Sequence, residues 1–283
     1  GKKPLYVYED RDRVLFASEI KSILAHPEAR VDIDEGAVPL YFVHGFVPHP
    51  RTVYKQIRSI EPATVEVFPV RGAATARKYW QLTFPDVARE PLRPRSRRRT
   101  ASEVRELVTR AVERRLMSDV PLGAFLSGGL DSTIIVGVMS RLLREPVRTF
   151  SIGFEGEAAF DETAVARNTA ARFGTRHTEF RVKPSAVDLV DTLVYHHDGA
   201  FGDSSAIPTF LVSRLTREHV TVALTGDGGD ELFGGYNRHF QAPLLWNRLE
   251  KVPRPLRAMA GASLGRLPQS LWKQAASMLP ARH

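Results

Sequence analysis

The stretch GAFLSGGLDSTIIVGVM, Gly123 to Met139, decides how this chain is read. Ala124 to Leu126 is a short apolar run. It stops at Ser127, two glycines follow, then Asp131 and Ser132, and the sequence turns apolar again. This reads as strand, tight loop and helix, the helix expected from about Ser132 to Leu143. Gly128 and Gly129 carry no side chains, so backbone N–H groups can face a ligand directly. The helix that follows aims its unpaired N–H groups and positive dipole end at the loop. Ser127 and Ser132 add hydroxyl donors. An anionic, phosphate-like group suits such a loop. Asp131 does not, unless a cation lies between carboxylate and phosphate. Mg²⁺ is held by one or two carboxylates together with phosphate oxygens, which resolves the conflict. The plainer reading, Asp131 as a helix cap, leaves the two glycines and two serines unexplained. The loop is neither G-x-x-x-x-G-K-[ST] nor G-x-G-x-x-G.

Outward from this loop, strands and helices alternate. VRTFSIGF, RHTEFRV and HVTVALT read as strands. DETAVARNTAARFG reads as a helix with Gly174 as its C-cap, AVDLVDTLVYHHD as another, and a further helix follows DSSAIP. The expected fold class is α/β, a parallel sheet with helices on both faces. Upstream, Thr100 and Glu103 suggest a capping box with Thr100 as N-cap, opening an amphipathic helix through Leu116. The first region is mixed. PLYVYEDRDRVLFASE predicts a hairpin around Glu9–Asp12, which wants further strands that the sequence does not obviously supply. EIKSILAHP and DEGAVPLYFVHGF read as helices, and ATVEVFPV as a strand pairing with ARKYWQL. The last forty-odd residues read as helical and proline-punctuated. The expected domains are 1–84, a linker over 85–99, and 100–283.

LTGDGGDELFGGYNR, Leu224 to Arg238, is a second glycine-and-acid loop at the end of a strand. Both loops should open on the same edge of the sheet. Asp230 would then share a magnesium with Asp131, and Asp227 would face the reacting centre. The alternative is a calcium-like or merely flexible acidic turn. The spacing does not fit an EF-hand.

SGGLDS resembles the pyrophosphate loop of the N-type ATP pyrophosphatases. With LSGGLDS, TFSIGF, DSSAIPT and TGDGGDELFGGY in that order, the chain resembles the glutamine-dependent asparagine synthetases. GKKPLYV, FASEIKSIL and GFVPHPRTVYKQI resemble the end of that family's glutaminase domain, of N-terminal-nucleophile type. The resemblance implies a PP-loop synthetase domain that activates the aspartate side chain as β-aspartyl-AMP and amidates it with glutamine-derived ammonia. It implies that Ser127, Gly128, Gly129, Asp131 and Ser132 hold pyrophosphate and Mg²⁺, and that Leu126 and Ile152 contact adenosine through backbone groups. Thr225 and Gly226 would lie beside AMP, and Asp230 would be the second magnesium carboxylate. Asp227 stands where many relatives have glutamate. β-Lactam synthetases and amidotransferases of polysaccharide clusters share these motifs, and tRNA-modifying enzymes share the loop. The family's glutaminase nucleophile is an N-terminal cysteine and its later motifs include a lysine. Neither is found here, so the chain is expected to be an internal fragment that makes no asparagine from glutamine by itself.

Composition fits these expectations. Hydrophobic residues are 43%, charged residues 25%, the net charge is +8 and there is no cysteine among 283 residues. Disulfides, thiolate metal sites and a catalytic cysteine are thereby excluded in this chain. A chain without cysteine suits the reducing cytoplasm. No apolar run approaches the roughly 18 residues of a spanning helix. Much of the positive charge lies in RPRSRRRT, Arg93 to Thr100. That run reads as a solvated linker rather than a nucleic-acid arm, since no aromatic residues interleave with the arginines. The expected partners are small molecules (aspartate, ATP, and glutamine or ammonia), with no nucleic acid and no membrane; a homodimer is left open. His196 and His197 are adjacent on a helix and so point apart, which argues against a metal pair. Asp203, Ser204 and Ser205 read equally as a helix start and as a substrate contact.

Overall fold

A tight polar turn begins the fold. The Asp10 carboxylate accepts the amides of Asp12 and Arg13 and joins strands β1 (Tyr6–Glu9) and β2 (Val14–Ala17). The computed structural model describes residues 3–83, 96–156, 161–183 and 186–264. The chain divides into two compact units, Gly1–Thr225 and Gly226–His283.

In the first unit the hairpin finds the partner that the sequence seemed to lack. β3 (Ile57–Ser59) pairs antiparallel with β1 on the side away from β2. Helices α1 (Ile20–Leu24) and α2 (Ala37–His44) come between. Tyr8, Ile20, Ile23 and Ile57 form a small core over this sheet. β4 (Thr64–Val67) and β5 (Thr75–Lys78) pair antiparallel, as the alternation of ATVEVFPV predicts.

Helix α3 spans Arg97–Leu116. It therefore starts before Thr100, with Ser96 at its N-cap and no side-chain cap bond. The expected capping box does not form. Thr100 lies inside the helix, and the Arg99 guanidinium donates instead to Glu103 one turn on. Residues 97–99 of the expected linker are thus helical, and 84–95 lie outside the described residues. β6 (Leu122–Phe125), α4 (Leu130–Leu142), β7 (Arg148–Phe154), α5 (Thr163–Phe173), β8 (Arg176–Val182), α6 (Ala186–His197), α7 (Ala206–Thr216) and β9 (Val222–Leu224) follow. Gly174 caps α5 in the left-handed conformation, as expected. The helix after DSSAIP begins within that motif, at Ala206.

The four strands β6 to β9 form one parallel sheet in the order β8-β7-β6-β9. The chain steps outward from β6 to β8, then returns to β9 on the other side of β6. Val112, Ala124, Leu126, Val136, Met139, Ala166 and Leu224 make the main core. α4 is buried along Val136, Gly137 and Met139.

The second unit opens where a loop was expected. Gly229–Phe233 is a short helix, α8, flanked by Gly228 and Gly234, both left-handed. α9 (Asn237–Leu249) and α10 (Arg254–Leu264) bear out the helical reading as far as residue 264. No helix of the described residues is long and apolar enough to cross a membrane.

Candidate active site

Strand order fixes where a ligand can enter. The order reverses between β6 and β9, and in open α/β sheets the crevice outside the carboxyl ends of the strands at such a reversal takes the ligand. Ala124 pairs with Leu224 in register. Leu126 to Gly129 and Thr225 therefore leave adjacent strands on one rim. Ile152 lies on β7 beyond the Phe125–Phe150 pair, at the same end.

The first loop is held by its own hydrogen bonds. Ser127 Oγ accepts the Gly129 amide at 3.3 Å and lies 3.1 Å from Ser132 Oγ. Ser132 Oγ donates to the Gly129 carbonyl at 3.2 Å. Ser132 is buried, so its hydroxyl ties the loop to the first turn of α4. The two glycines differ in purpose. Gly128 has φ +86°, and a Cβ there would stand 2.9 Å from Val165 Cβ on α5. It is glycine because the backbone is left-handed and α5 presses on it. Gly129 has an extended backbone that any residue adopts, and a Cβ would meet only Ser127 Oγ, at 3.3 Å. Its missing side chain leaves the main chain open to approach.

Gly129 is the N-cap of α4, and the Thr133 amide donates to its carbonyl. The amides of Leu130, Asp131 and Ser132 have no partner within the helix. Asp131 sits in that first turn, half-buried, after a cap residue that has no side chain. It is not the cap, so the plainer reading fails. Among the described residues no cation pairs with it. A negative charge at this position is favoured by the helix dipole. The Leu126 side chain is core, with 0% exposure, which leaves only its main chain to a ligand.

A polar layer below the rim escaped the sequence reading. His177 Nδ1 lies 2.9 Å from Thr149 Oγ1 and Nε2 lies 3.2 Å from Ser151 Oγ, while Thr149 also meets Thr175 at 2.8 Å. Thr149 and Ser151 are buried. Burial pushes the His177 imidazole below its usual value, which favours the neutral ring. The only sequence signal was the alternation Thr175, His177, Glu179 on one strand face. Beside it, hydrogen bonds from Thr163 hold the Asp161 carboxyl low, and the Arg167 bond does the same for Glu179. Together these brace the start of α5, which carries Val165.

In the second unit Gly226, Asp227 and Asp230 follow Thr225 directly in sequence. Asp230 lies in the first turn of α8, and a Cβ on Gly235 would fall 1.8 Å from its Oδ1. The Tyr236 hydroxyl donates to Glu231 and, more than any other contact, holds that carboxyl below its usual value. Glu231 is thereby committed to its own loop. Asp203 Oδ1, in the first unit, accepts the Ser205 amide at 2.8 Å and shapes the turn into α7. His197 stacks on Phe201 at 4.1 Å while His196 faces Phe210 at 6.0 Å, so the two histidines do point apart.

Comparison with known proteins settles the lineage. Residues 103–283 match the family model for asparagine synthase, and residues 1–80 match that for a glutamine amidotransferase domain. The chain belongs to the asparagine synthase family. Asparagine synthetase (glutamine-hydrolyzing) 1 of Bacillus subtilis is 36% identical over 92% of this chain and 40% of its own length. A protein of Methanocaldococcus jannaschii, provisionally named asparagine synthetase (glutamine-hydrolyzing) 2, is 39% identical over 92% of this chain and 50% of its own. The amidase chyE of Penicillium rubens is 27% identical over 87% and 38%. The chain thus spans half or less of the length of these curated relatives. Within the family frame, the SGGLDS loop sits in the synthase-matching region and the hairpin sheet in the amidotransferase-matching region.

Proposed function

We propose that this chain carries the nucleotide-activating site of a glutamine-dependent asparagine synthase. One observation supports this above the rest: SGGLDS occupies the carboxyl rim of β6 at the point where the strand order reverses, with its loop already tied down and its helix amides open. The names of the relatives print asparagine and glutamine, and the family resemblance adds the remaining substrates of the proposal. Aspartate is the acyl substrate, ATP the activator, and glutamine or free ammonia the nitrogen donor.

The chemistry explains the parts. A carboxylate repels amines and has oxide as its leaving group, so it must be activated. The aspartate side-chain oxygen attacks the α-phosphorus, the bond to pyrophosphate breaks, and a mixed anhydride with AMP forms. Neutral ammonia then attacks the carbonyl carbon and AMP leaves. Charge grows on the pyrophosphate oxygens, and preorganised amides of Leu130 to Ser132 stabilise it without rearranging. Gly129 lets the oxygens reach the main chain, while Leu126 and Ile152 offer backbone groups to adenosine. Thr225 and Gly226 adjoin AMP, and Asp227 serves the reacting centre. Shelter from water keeps the acyl-adenylate from hydrolysis.

Magnesium fits the donor set. Among the described residues no group of three or more His, Cys, Asp or Glu is placed to hold a metal ion. Mg²⁺ does not require a site built wholly by protein, since one or two carboxylates suffice when phosphates complete its shell. Asp131 and Asp230 are the proposed carboxylates. When bound, the ion would neutralise the phosphate charge. Isothermal titration with ATP and Mg²⁺ tests the reading. Saturable binding should weaken at least ~10-fold in Asp131→Ala, the loss of one charge-assisted contact. Binding indifferent to Asp131 would overturn it.

A further inference from the structure

The two family regions touch within the first unit, and one short turn makes the contact. Asp198 ends α6 in the left-handed conformation, φ +59°. Its Oδ2 accepts the Ile20 amide at 2.5 Å, and its Oδ1 accepts the Lys21 amide and the Lys21 ammonium, each at 3.2 Å. The side chain is only 9% exposed. Lys21 Nζ also lies 5.0 Å from the Tyr195 ring centre. Four residues on, the Gly202 amide donates to the Gly45 carbonyl at 2.7 Å, and Phe46 bridges Phe201 in antiparallel fashion. A Cβ on Gly45 would come within 3.2 Å of the Gly202 carbonyl, so the two main chains meet without room for a side chain. Ile20, Lys21, Gly45 and Phe46 all lie in the amidotransferase-matching region, and Tyr195 to Gly202 in the synthase-matching one.

We infer that Tyr195–Gly202 is an interdomain clasp, fastened by Asp198, that holds the amidotransferase-family region at one fixed position on the synthase-family region. The ion pair in it is not a loose surface contact. The bonds to Glu19 and Asp198 outweigh the burial of Lys21 and keep its ammonium charged, while burial and the Asp198 charge push the Tyr6 phenol up. A carboxylate that accepts main-chain amides fixes direction as well as distance. The segment then passes straight into Asp203–Ser205 and α7, so the position of the first region is transmitted to the start of that helix. The purpose rests on the function proposed above: a region that frees an amide nitrogen must be held against the region that consumes it. The fastening itself does not depend on that reading.

The test uses the chain's lack of cysteine. Spin labels on Arg11→Cys and Arg144→Cys, two exposed positions in the two family regions, report their separation by pulsed electron resonance. The parent should give one narrow distance distribution. Asp198→Gly keeps the left-handed turn but removes the carboxylate; it should broaden the distribution and speed amide exchange at Ile20 and Lys21 by at least ~10-fold, as expected when a charge-assisted hydrogen bond is lost. Asp198→Asn tolerates the same backbone and can accept one amide, so it should fall between. A merely local role would quicken the two amides and leave the distance unchanged, and that result overturns the clasp. So would a broad distribution in the parent, or exchange in Asp198→Gly equal to the parent's. Asp131-dependent binding of Mg²⁺ and ATP, measured on the same samples, reports separately on the proposed function.

Discussion

The two glycine-rich loops look alike in the sequence and are built by different means. In SGGLDS, one glycine serves packing and one serves access. Val165 crowds Gly128, while little besides Ser127 stands near Gly129. The core packs behind this loop, and Ser127 and Ser132 close a ring of hydrogen bonds across it. GDGGDELFGGY, in its own unit, has no buried residue in α8. It is shaped by neighbours in sequence: Tyr236 on Glu231, Arg238 4.3 Å over the Tyr236 ring, and Gly235 yielding to Asp230. A loop backed by a core resists change over its whole length. A loop braced by itself resists change only at its bracing residues.

The largest effect that separates them should come from Gly128→Ala. It combines a left-handed backbone with a clash on α5, and should cost about 3 kcal/mol in chemical denaturation. Gly129→Ala, one residue on, should cost under about 0.5 kcal/mol yet weaken ATP binding. Equal stability losses at the two positions would erase the distinction. Next comes Gly235→Ala. The Asp230 carboxylate must move away from a new Cβ, and under its proposed role as a magnesium carboxylate the dependence of ATP binding on Mg²⁺ should weaken by ~10-fold, the usual loss when a ligand's support is removed. Global stability of the first unit should hold. Smaller is Ser132→Ala, which opens the hydrogen-bond ring and should cost about 1 kcal/mol. An unchanged denaturation midpoint would show that the ring contributes nothing.

The smallest effect concerns pH. The His177 imidazole is held below its usual value of about 6.5. Its contribution to stability is complete above that value, where folded and unfolded rings are both neutral. It falls away as pH drops toward the lower folded value, because the unfolded chain then binds the proton more readily. His177→Gln should flatten the loss of stability between about pH 7 and pH 5.5, measured as denaturation midpoint against pH. A slope identical to the parent's would place the sensitivity elsewhere.

Much of the fold was legible because the two strands that flank the crevice, β6 and β9, are short apolar runs and the helices between the strands are periodic. The missed elements share a cause: local signals too short or too ambiguous to stand without partners. β3 has one apolar residue, Ile57, and becomes a strand only because β1 offers an unpaired edge. α8 is bounded by glycines that read as loop. α3 begins in an arginine run that looks like solvated linker, although arginine is a good helix former. Thr100 and Glu103 match a capping box, but the pattern carries no information on whether the helix has already started. At the site, the residue types around Asp131 pointed to phosphate chemistry. The reason for Gly128 did not show, since it lies in Val165 on a later helix. Asp198 was still less visible, because its partners Ile20 and Lys21 are 178 and 177 residues away.

The strand order has one more consequence. Because the chain leaves every strand of this parallel sheet toward the same rim, the function proposed above places the nucleotide there, away from the opposite rim, entered at Leu122, Arg148, Arg176 and Val222. On that proposal, the carboxylic acid that is activated can change by remodelling the outlets of the strands while their inlets stay as they are. One scaffold can in this way accumulate different acceptors without being refolded.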